Sequence, residues 1–203
     1  MYNFKIPYDY NTTYFHSSFN GSYLIWSLNQ YVHLEHHEEE LTTSITEIME
    51  SKFSSLYRDY KYKNAENNID KIVDYVYKNI IDIPNVNDCN YIVSTPSNSK
   101  NNKVACICNE LSKRMKIEFN DILSTLLDYK IKSIDTDKRK NLSEFIICNK
   151  IFPMNSKILL IDDFLETGTT IIESINAIMK KNPKCSIIPV VFFRESNTKS
   201  ALR

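Results

Sequence analysis

The chain has 203 residues, 42% of them hydrophobic and 25% charged, which provides for one sizeable packed domain with or without a small cap and excludes wholesale disorder. Lys+Arg and Asp+Glu both number 25, so the chain lacks the basic excess with which a nucleic-acid-binding protein displaces counterions. No apolar run is long enough to span a bilayer, and the opening Met1-Tyr2-Asn3-Phe4-Lys5-Ile6-Pro7 lacks the charged-then-apolar layout of a secretory signal, so a cytoplasmic protein without membrane contact is expected.

Residues 1–20 are aromatic and polar, with no clean period. An apolar stretch follows (Tyr23, Leu24, Ile25, Trp26, Leu28), then a His/Glu run from His33 through His36 and His37 to Glu40. With His16, these histidines invite a metal reading, because His33 and His37 are one helical turn apart. No second cluster completes a site, and an exposed charged helix face is the better reading. Ile45, Ile48, Met49 and Phe53 suggest a helix. A clearer one covers 66–81, where Ile69, Ile72, Val73, Val76 and Ile80 keep the 3,4 spacing of one buried stripe. Residues 82–88 read as a connection.

From residue 89 strands and helices alternate. Tyr91-Ile92-Val93 is a short strand that runs into a polar loop, Ser94 to Asn102, and a helix follows over 103–115. Residues 119–127 are apolar and open between strand and helix, and 128–144 form a charged stretch. Strands are expected at 145–152, 157–162 and 186–193. A helix is expected at about 168–181, with Ile171, Ile172, Ile175 and Ile178 inward and Lys180, Lys181 and Pro183 closing it. This alternation argues for an α/β fold with an open parallel sheet flanked by helices, residues 83–203, preceded by a small, mostly helical N-terminal cap, residues 1–82.

The five cysteines (Cys89, Cys106, Cys108, Cys148, Cys185) form no paired CxxC knuckles and read as reduced, buried small hydrophobes. Glycine is scarce: the usual frequency of about 7% predicts roughly fourteen in such a chain, and only Gly21 and Gly168 are present. Each therefore marks a backbone requirement.

Gly168 lies in the most informative stretch, Ile158-Leu159-Leu160-Ile161-Asp162-Asp163-Phe164-Leu165-Glu166-Thr167-Gly168-Thr169-Thr170. Four apolar residues suit a central parallel strand covered on both faces. Two carboxylates stand at its C-terminal end, where open α/β sheets bind ligands. The loop then opens a helix whose first N–H groups lack intrahelical partners and whose dipole favours an anion. The hydroxyls of Thr167, Thr169 and Thr170 add donors, and Gly168 lets the backbone close around a phosphate.

These thirteen residues resemble the phosphoribosyl-pyrophosphate-binding motif of type I phosphoribosyltransferases: four apolar positions, two acids, two variable apolar positions, a variable one, then Thr-Gly-x-Thr. The resemblance implies transfer of a phosphoribosyl group to a nucleobase-like acceptor with release of pyrophosphate. Asp162 and Asp163 would bind the ribose hydroxyls and orient magnesium indirectly, through substrate and water. Glu166 to Thr170 would wrap the 5-phosphate. Glu166 is a carboxylate at the position where the purine-salvage branch can take a proton from the base, and a solvated Glu favouring the helix start is the equal alternative. The first loop implies Thr95, Ser97, Asn98, Ser99 and Lys100 as pyrophosphate contacts. It has no glycine, so Asn98, Asn101 or Asn102 would supply unusual backbone angles. A closing loop at 128–144 offers Lys130, Lys132, Lys138, Arg139 and Lys140, although a charge run is more often a solvated surface.

Lys138-Arg139-Lys140-Asn141-Leu142-Ser143-Glu144-Phe145 before a strand and the motif, with Lys61-Tyr62-Lys63 ahead, looks like the ComF-type, competence-associated branch. That branch's cysteine knuckles and Arg- and Gly-rich first loop are absent. The competing function is a catalytically weak sensor of phosphoribosyl pyrophosphate or a nucleotide, acting through a protein partner in DNA uptake or defence. A homodimer is compatible with either reading.

Overall fold

The computed structural model describes residues 11–17, 21–32, 52–97, 102–126 and 144–196, with side chains in the first two segments described only at 24–28. In chain order the strands and helices are β1 (Asn11–Ser17), β2 (Gly21–Val32), α1 (Lys52–Tyr62), α2 (Ile69–Ile80), β3 (Tyr91–Ser94), α3 (Lys103–Met115), β4 (Glu118–Asn120), β5 (Leu123–Thr125), β6 (Ile146–Cys148), β7 (Lys157–Leu165), α4 (Thr169–Lys181) and β8 (Ser186–Ser196). Short 3-10 turns at Glu66–Asn68 and Val86–Asp88 lead into α2 and β3.

Six strands form one sheet in the order β1-β2-β8-β7-β3-β4. Five of them run parallel, and β1 returns antiparallel to β2 at the edge. β5 and β6 make a separate antiparallel ribbon. The open parallel sheet flanked by helices is the architecture expected from the alternation of strands and helices.

β7 is central, between β3 and β8, and the alternation of its side chains builds both halves of the core. Leu159 and Ile161 enter a cluster with α1, α2 and α3, while Ile158 and Leu160 enter one with α4 and the β5–β6 ribbon. Both faces of the strand are dry, which is why its sequence is continuously apolar rather than alternating. The stripe on α2 is as expected for Ile72, Val73, Val76 and Ile80, all fully buried, with Ile69 half-buried at its start. On α4, Ile171, Ile175 and Ile178 point inward, but Ile172 is only half-buried and Met179 takes a core place.

The N-terminal part departs from a mostly helical expectation. Residues 11–17 and 21–32 are a strand pair, and β2 lies parallel to β8 from Trp26↔Val190 to Val32↔Ser196. Trp26 packs against the first core cluster, as its size suggests. Four cysteines are buried, whereas Cys106 is exposed on the outer face of α3. The His33–Glu40 run and the inferred helix through Ile45 and Met49 lie outside the described residues. No helix of the described residues is long and apolar enough to cross a membrane.

Candidate functional site

The site is assembled where β3 ends beside β7, which itself continues through the acid pair to Leu165, further than the strand 157–162 expected from sequence. The register pairs Ser94 with Ile161, and the Thr95 N–H bonds the Ile161 carbonyl at 3.0 Å. The Thr95 hydroxyl then donates to Asp162 Oδ1 at 2.8 Å, and the same oxygen accepts the Asp163 N–H at 2.8 Å. Asp162 is thus oriented by the adjoining strand and by its own neighbour.

Asp163 points to the other face of the sheet. Its Oδ2 accepts the Tyr57 hydroxyl at 2.8 Å and a hydrogen bond from the Lys61 ammonium. Tyr57 and Lys61 are one turn apart on α1, so a single helix face presents both. The Tyr57 ring is fixed by Phe192 and Phe193, whose centroids lie 5.6 and 5.4 Å away.

Both carboxylates are buried, at 8% and 9% exposure. Burial, and next the charge of Asp163, push Asp162 up from the ordinary 3.8 to about 7. Burial and the Asp163 carboxylate raise Tyr57 well above the usual phenol range. Burial acts to lower Lys61, but the Asp163 carboxylate outweighs it and the ammonium is held above its usual value. One charge of the acid pair is thereby matched by a cation, and the other is suppressed toward neutrality.

Beyond β7 the chain turns through Gly168, whose φ of 76° is left-handed and sterically open to glycine. The Thr167 and Thr169 hydroxyls lie 2.9 Å apart, and Thr170 is half-buried one residue on. At the start of α4 the Thr167 hydroxyl accepts the Thr169 N–H at 3.4 Å, a longer contact than at α3, where the Asn102 side chain accepts the Ala105 N–H at 3.2 Å. Glu166 is exposed at the mouth of this turn.

The first loop is only partly described. Thr95 is buried against Asp162 and Ser97 is exposed, while Asn98, Ser99, Lys100 and Asn101 lie outside the described residues. Asn102 does not supply an unusual backbone angle: at φ −71° and ψ 94° it is extended, and its side chain caps α3 and donates to the Thr95 carbonyl at 3.3 Å. Of the charged stretch, residues 127–143, with Lys130, Lys132, Lys138, Arg139 and Lys140, are likewise outside. Its last residue, Glu144, is left-handed at φ 56°, and its N–H bonds the buried Glu173 carboxylate of α4 at 2.5 Å. The stretch is therefore anchored at one end to the helix that begins at Gly168.

The structure thus brings Asp162, Asp163 and Thr95 together at the C-terminal edge of the sheet, and Thr167, Gly168, Thr169 and Thr170 into the turn that follows. It adds two residues that sequence reasoning did not assign to the site, Tyr57 and Lys61. Their signal was a Tyr and a Lys at i,i+4 on a helix of mixed aromatic and charged residues, and nothing local says which strand such a pair faces.

Residues 105–202 match the family model described as phosphoribosyl transferase domain. The matched stretch is just under half of the chain, contains the whole strand–turn–helix unit, and supports the type I phosphoribosyltransferase family. No curated protein sequence matches the chain. Among solved structures, the adenine phosphoribosyltransferase of Leishmania tarentolae is similar at 11% identity over 68% of this chain and 76% of that one, with a TM-score of 0.42. At that level of likeness the fold rests on the strand order described above.

Proposed function

We propose that this chain binds phosphoribosyl pyrophosphate and transfers its phosphoribosyl group to a nucleobase-like acceptor, releasing pyrophosphate. The observation that carries the reading is the acid pair near the C-terminal end of β7, followed within five residues by a left-handed glycine that opens α4. Type I phosphoribosyltransferase ancestry is supported by the family match; membership of the ComF-type branch rests on residues 138–145, on Lys61-Tyr62-Lys63 ahead of them and on the order of elements.

In this reading the backbone from Glu166 to Thr170 wraps the 5-phosphate, and the threonine hydroxyls complete the cradle. Asp162 and Asp163 hold the ribose hydroxyls. The acceptor displaces pyrophosphate from C1 as positive charge develops there, and the nearby carboxylates favour that charge. Thr95, Ser97, Asn98, Ser99 and Lys100, with Lys138 and Arg139, are proposed to receive the pyrophosphate. Glu166, exposed beside the cradle, is proposed to take a proton from the acceptor, with favouring the helix start as its equal alternative.

Two hard carboxylates at a strand end suit magnesium, reached through substrate and water. When bound, the ion neutralises charge on the leaving pyrophosphate. The division of labour proposed is a core at 83–203 that carries both phosphate sites and an N-terminal part at 1–82 that covers the acid pair. A cytoplasmic location and a homodimer are part of the same proposal.

The sensor reading, in which the site reports a nucleotide to a protein partner, is favoured by one feature. The first loop lacks glycine, the residue that lets a backbone approach pyrophosphate closely. Incubation with phosphoribosyl pyrophosphate, magnesium and a panel of nucleobases tests both. Base-dependent pyrophosphate release is expected for the transferase. Saturable binding with no release for any base would favour the sensor.

A further inference from the structure

Two adjacent buried carboxylates at one strand end are unstable neighbours unless charge is brought to them. Here it comes from Lys61, whose ammonium and the Tyr57 hydroxyl both bond the same oxygen, Asp163 Oδ2. The ammonium is not sealed in. The Lys61 side chain is 26% exposed, and its Nζ is 5.7 Å from the ring centroids of both Tyr57 and Tyr62, of which Tyr62 is exposed. A cation leaving Asp163 therefore has an aromatic resting place beside water. On the same face of the sheet, one strand away, the fully buried Ser94 hydroxyl has no hydrogen-bond partner among the described residues.

We propose that Lys61 is an internal counter-ion that occupies, in the unliganded protein, the Asp163 oxygen to which a divalent cation would be held through its water, so that ammonium and hydrated metal compete for one carboxylate. The proposal rests on the reading of the acid pair given under the proposed function. A lysine ammonium is a compact point charge on a flexible stem, suited to leaving and returning. The consequence is an order of events. A free divalent ion meets a carboxylate already neutralised and binds weakly. A ligand that brings metal, diphosphate and ribose hydroxyls together supplies enough new contacts to send Lys61 away. The acid pair is thereby kept from collecting metal without substrate.

Manganese titration, with free ion read by electron paramagnetic resonance, tests this on the full chain. Lys61→Met should bind Mn2+ at least about tenfold tighter than wild type, because a unit charge a few ångströms from the incoming dication is worth more than one factor of ten in a partly buried site. Lys61→Arg should stay weak, and adding Asp163→Asn to Lys61→Met should erase the gain. Circular dichroism confirms the fold, and Lys61→Gln replaces the methionine variant if that one does not fold. Equal manganese affinity in wild type and the folded neutral variant would overturn the proposal. Binding of ribose 5-phosphate to wild type in chelator keeps the two readings apart: its absence, with the manganese gain intact, removes the phosphate cradle and leaves the role of Lys61 standing. A normal ribose 5-phosphate isotherm with no manganese gain removes the role of Lys61 and leaves the cradle.

Discussion

Tyr57 and Asp163 are 106 residues apart in sequence and 2.8 Å apart in space, hydroxyl to carboxylate, with both groups buried. The contact ties the N-terminal helix α1 to the end of the central strand. A hydrogen bond to a charged group contributes about 1.5–3 kcal/mol, so Tyr57→Phe should lose stability in that range. Urea denaturation at neutral pH checks it. A loss below about 0.5 kcal/mol would mean that the bond is not held in solution, since that is the size of an ordinary surface substitution.

Gly168 stands at φ 76° in the turn between β7 and α4. Gly168→Val forces a β-branched residue into a left-handed conformation, at about 1–2 kcal/mol for the backbone, and puts methyl groups where the phosphate is proposed to sit. Binding of ribose 5-phosphate should be lost while the variant still melts cooperatively. Normal binding would move the phosphate away from this turn.

Asp162 makes stability pH-dependent in a defined direction. Its folded value, about 7, lies above the ordinary 3.8, so the folded protein retains a proton that the unfolded chain releases. Stability from this group is greatest below about pH 4 and declines as pH rises to about 7. In Asp162→Asn the decline should vanish, so the variant gains melting temperature on wild type as pH rises from about 4 to about 7. A difference that is constant over that interval would contradict the burial and charge repulsion described for the pair. Combined with Asp163→Asn, the substitution should also remove turnover and leave the sheet intact.

Glu166→Gln separates a proton-accepting role from a helix-start role. As a general base, Glu166 should confer about a hundredfold or more on the chemical step, with ligand binding little changed in the variant. As a helix-start residue it should cost at most about 1 kcal/mol of stability and leave turnover alone. Single-turnover rates across pH decide: a wild-type rise through an acidic pKa that the variant lacks supports the base, and matching profiles remove it.

Much of the fold was legible because its signals are local. Ile158–Ile161 announced a strand covered on both faces, and the 3,4 stripe of Ile72, Val73, Val76 and Ile80 announced one face of a helix. The two acids, Gly168 and the threonines could be read because a strand, turn and helix consecutive in sequence are consecutive in space. What stayed hidden depends on distant partners. β1 is a strand through pairing with β2, and β2 through pairing with β8 more than 160 residues on; the first has an aromatic and polar sequence with no clean period, and the second reads only as an apolar stretch. Asn102 looked like a source of unusual backbone angles and proved to be a helix cap, a role that follows from the Ala105 N–H three residues later. Cys106 looked like its buried neighbours, but position on the outer side of α3 leaves it exposed. Tyr57 and Lys61 acquire meaning only when α1 is laid over the end of β7.

The central claim is that the turn from Asp162 to Thr170 holds a ribose phosphate. Calorimetric titration of phosphoribosyl pyrophosphate with magnesium into the folded wild-type protein tests it most directly. A saturable heat is expected, abolished by Gly168→Val and by the paired Asp162→Asn and Asp163→Asn substitutions. No heat at millimolar ligand, from protein shown to be folded, would contradict it.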